Sequence, residues 1–460
     1  MKTLQVFSLI GMVLLPAIFS GKPGLQKQAD KPKTDFGNYA IRPPMGWNSY
    51  DCFGGNVTEA EVKKNADYMA EKLKQSGWEY VVVDFLWYCD DQTSWDKFSN
   101  RRPSQHIDEF GRLIPSPKIH PSSAGGKGFK PLADYVHSKG LKFGIHIMRG
   151  IPRQAVEKNT PVKNSSSRAS MVANLSDTCS WYGGLTGVNM TKPGGQDYYN
   201  SLFELYSSWG IDYIKVDDIA NPYHADEIEA IRKAIDKCGR PIVFSLSPGP
   251  APIASQAHLS VNANLWRISG DFWDNWNVLK GQLDLIRAWA PFVTEGHWPD
   301  PDMLPLGRLN IRTELKNGHD RRTNFTKEEQ YFLMTLWFAF RAPLMFGGNM
   351  PDNDGFTLSL LTNREALRVD QFSHNNRELS FHDGISIWIS EDKQEPVKYL
   401  AVLNTADKDQ ILDLPVASSG IKGAVTVKDL WGKKFISAGQ KGFSVTVPAH
   451  GGRLYSVAGK

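Results

Sequence analysis

From residue 41 to about residue 350, short apolar runs alternate with longer stretches whose apolar residues recur at helical spacing. In "TEAEVKKNADYMAEKLKQSG", Thr58 and Glu61 form a capping box, and Val62, Ala66, Met69 and Leu73 fall on one helical face before Gly77 closes the segment. The run "YVVVDF" follows as a strand. The same alternation pairs "FKPLADYVHSKG" with "LKFGIHIM", "QDYYNSLFELYSSWG" with "DYIKVDDI", and "ADEIEAIRKAIDKCG" with "PIVFSLSP". Further strands fall at "LWRISGDF", "HWPDPDML" and "APLMFGGN", and "PMGWNSY" supplies the first. About eight such units predict a parallel sheet closed into a (β/α)8 barrel over residues 41–370. Beyond that, "DGISIWISED", "KYLAVLNTA", "AVTVKDLW", "FSVTVPA" and "GRLYSVA" alternate apolar with polar at period two. This predicts a small antiparallel β-sandwich domain over 371–460.

The polar residues that interrupt the strands carry the chemistry. Successive strand residues face opposite sides, so in "YIKVDD" Lys215 and Asp217 share one face and Asp218 takes the other. Asp84 ends "VVVD". Arg267, Ser269 and Asp271 share parity in "WRISGD", as do Asp300 and Asp302 in "PDPD". A lone aspartate at a strand end often caps the next helix or closes a turn. Four strands delivering acids to one rim, two of them with a base two residues earlier, predict a site, because barrel sites lie at the C-terminal strand ends. Two carboxylates with polar donors and no metal-ligand spacing suit glycosidic bond cleavage. One carboxylate attacks or stabilises the anomeric carbon and the other protonates the leaving oxygen. Lys215 helps keep Asp217 ionised, and Asp271 is the candidate acid, its proton retained beside another carboxylate.

Composition narrows this further. The first 20 residues, "MKTLQVFSLIGMVLLPAIFS", read as a secretory signal peptide, and residues 21–40 as a flexible leader. The expectation is an exported protein, periplasmic or extracellular, with no later membrane span. A net charge of +4 without a long basic run argues against a nucleic-acid partner. None of the 4 cysteines lies in a CxxC pair, and the 11 histidines form no His-x-His pair at a strand end, so a zinc, redox or metal-dependent site is not expected. The expected partner is a carbohydrate. The sequence leaves open whether the chain forms a homo-oligomer.

The motifs "RPPMGWNSYDCF", "ADYVHSKGLKFGI", "DYIKVDD", "WRISGDFWDNW", "WPDPDML" and "SLLTNREALRVDQ" resemble, in order, those of glycoside hydrolase family 27, the α-galactosidase and α-N-acetylgalactosaminidase family. The resemblance runs from about residue 43 to 372 and implies retaining hydrolysis of a terminal α-linked, galactose-type sugar without a metal or organic cofactor. It implies Asp217 as nucleophile and Asp271 as acid/base. It also implies sugar contacts from Trp47, Tyr50, Asp84, His146, Cys179, Lys215, Arg267 and Asp302.

The departures from the family pattern concern sugar recognition. The second acid of the pair after the second strand is Phe85, which admits β-L-arabinopyranosides, sugars that resemble galactose without its C6 group. "SLSPGPAP" at 245–252 replaces the segment that separates a 2-hydroxyl from a 2-acetamido group, which admits α-N-acetylgalactosaminides. Tyr50 replaces a tryptophan and His146 a tyrosine. Cys179 lacks its usual partner, with Ile219 in that place. Cys52 and Cys89 follow neighbouring strands and are the candidate disulfide. Trp87, Trp181, Arg149 and Arg153 are placed in rim loops. A non-catalytic carbohydrate-binding barrel is the alternative from another class.

Overall fold

A computed structural model describes residues 35–91, 104–313, 318–415, 424–439 and 442–459. The proposed signal peptide and most of the leader lie outside the described residues. The leader's end does not. Residues Phe36–Ala40 form a short 3-10 helix whose Ala40 carbonyl accepts the Trp298 indole N–H at 2.7 Å, so the barrel fold takes in chain before residue 41.

Eight parallel strands form the barrel: β1 Met45–Asn48, β2 Tyr80–Val83, β3 Lys142–Met148, β4 Tyr213–Asp217, β5 Val243–Leu246, β6 Leu265–Arg267, β7 Trp298–Asp300 and β8 Leu344–Phe346. They pair in chain order, and β1 also pairs with β8. Just past β7, the Leu304 amide donates to the Met345 carbonyl at 2.7 Å and closes the ring. The register sets His146 beside Lys215, Met148 beside Asp217, and Arg267 beside Asp300.

Strand alternation then sorts the side chains. Tyr80, Val82, Tyr213, Val243, Leu265, Trp298 and Met345 fill the barrel interior as one apolar cluster. Toward the C-terminal ends the same inward parity gives Asn48, Lys215, Ser245, Arg267, Asp300 and Asp302, which line one internal space above that cluster. Gly144 makes room for this filling, because a Cβ there would lie 2.9 Å from Tyr213 Cβ.

The first outer helix follows its predicted cap. Helix α1 (Glu59–Tyr68) starts at the Thr58–Glu61 capping box and continues as one π turn to Leu73 before Gly77, at φ +100°, ends it. Helix α2 spans Lys130–Ser138, α3 Gly195–Trp209, α4 Ala225–Cys238, α5 Gln256–Asn262, α6 Trp276–Trp289 and α7 Lys327–Phe340. Among the described residues no helix is long and apolar enough to cross a membrane.

The C-terminal region is a β-sandwich. Its six-stranded antiparallel sheet includes Ile385–Asp392, Val397–Asn404 and Gly452–Gly459, and a two-stranded sheet pairs Gln410–Pro415 with Gly442–Val447. Ile389, Leu400 and Val402 pack between the sheets, whereas Trp388, Tyr399, Leu403 and Leu454 join the barrel's core. The period-two pattern thus serves two interfaces, one within the sandwich and one against α7.

Candidate active site

The polar rim of the barrel holds six carboxylates, two cations and a histidine. Asp84, at the end of β2, is the best-satisfied acid. Its Oδ2 accepts from Asn48 Nδ2 at 2.7 Å and from Lys215 Nζ at 3.1 Å, and its Oδ1 accepts the Phe85 amide at 2.9 Å. Burial alone would raise its pKa, but Lys215 and His146 outweigh that and hold the carboxyl well below the usual carboxylate range. Lys215 is partly buried, and Asp84, Asp217 and Asp302 keep its ammonium charged against desolvation.

Asp217 ends β4. His146 Nε2 lies 3.1 Å from its Oδ2, and the Asp218 amide donates to Oδ1 at 2.8 Å. Burial opposes the charged form, yet the hydrogen bond and charge of His146, then Lys215, lower the carboxyl's pKa. The sequence credited Lys215 with this effect. His146 contributes more, because it touches the carboxylate while Lys215 Nζ sits on Asp84.

The far side of the rim is built on Arg267. Its Nη2 contacts Asp302 Oδ2 at 2.8 Å and the Gly270 carbonyl at 2.6 Å, and lies 3.5 Å from Asp271 Oδ1. Asp302 also accepts the Phe272 amide at 2.8 Å. The Asp271 side chain is 73% exposed, and its nearest charged neighbour is the Arg267 guanidinium. Asp302, whose carboxyl feels the charge of Asp271, is itself paired with Arg267. Beneath them Asp300 is buried, and desolvation outweighs the pull of Arg267 to push its pKa up to about 7.

Several expected positions fall elsewhere. Trp47 has the outward parity of β1. It is fully buried in the core and donates to the Gly348 carbonyl at 2.9 Å, so it is a packing residue and not a sugar contact. Tyr50 is half-buried and opens the turn after β1. Trp87 is fully buried, with its indole on the His146 carbonyl at 2.7 Å, and is likewise removed from the rim. Arg149 is buried among carboxylates, not displayed on a surface loop. Arg153 donates to the Gly183 carbonyl at 3.0 Å.

The proposed Cys52–Cys89 disulfide is absent, and all four cysteines are free thiols. The two thiols have different neighbours. The Cys52 thiol turns to the Ser49 carbonyl at 3.6 Å, and Cys89 sits beside Tyr182. Cys179 is buried next to Asp218 and Asp217, so it does reach the site's edge.

Asp51 went unnoticed in the sequence. It lies on the helical turn after β1, where strand parity gives no guidance. It is buried, its Oδ2 meets no hydrogen-bond partner, and desolvation followed by the charge of Asp302 raises its pKa well above normal.

Phe85 shapes the remaining wall. It is 2% exposed and meets the rings of His146, Trp181 and Tyr182 edge-on at centroid distances of 5.6, 5.4 and 4.9 Å. The position beside Asp84 is therefore an apolar, aromatic surface that touches the partner of Asp217.

A barrel with this acid-lined rim and a C-terminal sandwich has the layout of a carbohydrate-cleaving enzyme. A profile described as alpha galactosidase A matches residues 42–155 and 180–372, and one described as the alpha galactosidase C-terminal beta sandwich domain matches 382–457. The chain belongs to this family, glycoside hydrolase family 27, and is a glycoside hydrolase. It is similar to a GH27 β-L-arabinopyranosidase from Geobacillus stearothermophilus, solved with arabinose: 46% identity, TM-score 0.89, covering 93% of this chain and 99% of that one. It is 28% identical to alpha-galactosidase 2 of Arabidopsis thaliana over 91% of this chain and 90% of the relative. It is 25% identical to the alpha-N-acetylgalactosaminidase of Gallus gallus, over 72% of this chain and 71% of the relative.

Proposed function

We propose that the protein is a retaining exo-glycosidase for a terminal galacto-configured pyranose, and that it prefers β-L-arabinopyranosides to α-D-galactosides. Asp217 is the nucleophile: its lowered pKa keeps the carboxylate ionised, as attack on the anomeric carbon requires. As the C1–O bond breaks, Asp271 gives its proton to the departing oxygen, leaving a glycosyl ester on Asp217. Asp271 then takes a proton from water, whose oxygen attacks C1 and frees Asp217. Its exposure at the rim suits this exchange with water. Asp84, Lys215, Arg267 and Asp302 supply fixed charges for the sugar's hydroxyls.

The observation that carries the preference is Phe85. A galactoside's hydroxymethyl group directed at this wall would lose hydrogen bonds to water and meet aromatic carbon instead. An arabinopyranoside has only hydrogen there. The similarity to the Geobacillus β-L-arabinopyranosidase supports this reading. The α-galactosidase reading keeps the same machinery, since Asp84, Lys215, Asp217 and Asp271 address ring features that both sugars share, and the plant relatives carry that name. The test is kcat/KM on nitrophenyl β-L-arabinopyranoside, α-D-galactopyranoside and α-N-acetylgalactosaminide. The reading expects the first to exceed the second at least tenfold, and fails if the galactoside or the acetamido sugar is the better substrate. The apolar N-terminus supports export, which N-terminal sequencing of the mature protein would check.

A further inference from the structure

Arg149 uses all five of its guanidinium protons. Nε donates to the Asp218 carbonyl at 2.7 Å. Nη1 donates to Asp177 Oδ2 at 2.8 Å and Glu227 Oε1 at 2.6 Å. Nη2 donates to Asp177 Oδ1 at 2.9 Å and Asp218 Oδ2 at 2.8 Å. Its backbone amide, one residue past β3, donates to the Asp217 carbonyl at 3.0 Å. One buried side chain therefore joins the tip of β4, helix α4 through Glu227, and the loop at Asp177 that leads into Cys179.

The surroundings are fitted to it. A Cβ on Gly187 would lie 2.7 Å from Nη1 and 2.3 Å from Asp177 Oδ2, so that glycine leaves the space the ion pair fills. Glu227 is further held by the Tyr199 hydroxyl and by the Val188 amide at 3.3 Å. Asp177, His224 and Glu227 also bring metal-ligand atoms together, but the guanidinium already sits on both carboxylates, and we assign no cation site there.

We infer that Arg149 is a positioning residue for the nucleophile. Asp218 has φ +57°, a left-handed backbone that a side chain disfavours. Its amide nevertheless donates to Asp217 Oδ1, and Arg149 holds the same residue by both its carbonyl and its carboxylate. Residue 218 is thus fixed in the conformation that places its N–H on one oxygen of Asp217, while His146 holds the other. A lysine would keep the charge, but its three donors cannot make the five bonds to three carboxylates and a carbonyl. The inference rests on Asp217 being the nucleophile, and loss of turnover in Asp217→Asn checks that reading separately.

The test uses Arg149→Lys and Asp177→Asn in the full chain. The substrate is the best nitrophenyl glycoside, and the active sites are titrated with the matching 2-deoxy-2-fluoro glycosyl fluoride, which traps the nucleophile. A misplaced but folded nucleophile lowers the trapping rate constant and leaves the final labelled fraction near one. Loss of fold lowers the labelled fraction and leaves the rate constant of the surviving sites intact. For Arg149→Lys the expectation is a fall in kcat and trapping rate on the order of 100-fold, with the Ki of the free sugar within about threefold. Asp177→Asn, cutting only the outermost arm of the network, should fall about tenfold in the same two constants. A labelled fraction that drops while the trapping rate holds, or a wild-type kcat in both variants, overturns the inference.

Discussion

His146 Nε2 lies 3.1 Å from Asp217 Oδ2, so the carboxylate assigned to attack the sugar is partnered by an imidazole from the neighbouring strand. The hydrogen bond from this ring favours the ionised carboxylate. Replacing it by His146→Leu removes that hydrogen bond, so the Asp217 pKa rises. Because attack needs the ionised form, the acidic limb of the kcat/KM profile should move to higher pH. A pH–rate profile of the variant checks this, and an unmoved limb would reject His146 as the controlling partner. The sign for stability is linked. A folded-state pKa below the unfolded value of about 3.9 stabilises the fold above that pH, and the contribution is lost as pH falls through the folded value.

Lys215 Nζ is 3.1 Å from Asp84 Oδ2, with both groups withdrawn from water. Lys215→Met leaves Asp84 buried with its charge unpaired, which costs roughly 3–5 kcal/mol in broken buried pairs. Chemical denaturation should register that loss at neutral pH. The double variant with Asp84→Asn should recover part of it, since no uncompensated charge then remains.

Phe85 fills the place where relatives of the α-galactoside type carry a second acid. Phe85→Asp should raise the ratio of kcat/KM for the α-galactoside over the β-L-arabinopyranoside by roughly tenfold or more. The aromatic setting penalises a buried charge, so both absolute values fall. The ratio is the informative quantity. A ratio that stays constant would show that this side chain does not face the sugar's C5 substituent.

Asp300 is fully buried with its pKa pushed up to about 7. Between about 3.9, the unfolded value, and that folded value, the native state binds a proton that the unfolded chain has released, so stability falls as pH rises. At about 1.4 kcal/mol per pH unit the ceiling is about 4 kcal/mol. Asp300→Asn copies the protonated form and still has a carbonyl for the Asp302 amide. Its melting temperature should therefore change less than that of the wild type between pH 5 and pH 8.

Much of this was legible in the chain. The alternation of apolar runs placed the eight strands, and period-two parity separated Asp217 from Asp218 and put Lys215 inside the barrel. Asp218, on the other face, proved to be an anchor for Arg149. Aromatic residues were harder. Trp47 and Trp87 lie next to site residues in sequence, but strand parity and the core took both rings away from the rim. Arg149 was placed in a rim loop, and its buried network could not be read, because Asp177 and Glu227 come from a loop and a helix distant in sequence, and nothing local announces their meeting. The cysteine pairing failed for a related reason: neighbouring strands fix where backbones run, not where two thiols point. Asp51 was missed because it stands on a turn, outside the alternation that exposed the other acids.

The central claim is that Asp217 forms a covalent bond to the sugar. Wild-type protein should be incubated with 2-deoxy-2-fluoro-β-L-arabinopyranosyl fluoride, and in parallel with the 2-deoxy-2-fluoro-α-D-galactosyl fluoride, then digested and mapped by mass spectrometry. The account predicts one sugar per chain, esterified to Asp217, and no label in Asp217→Asn. A label on another carboxylate, or rapid turnover of the nitrophenyl substrate by Asp217→Asn, would contradict it.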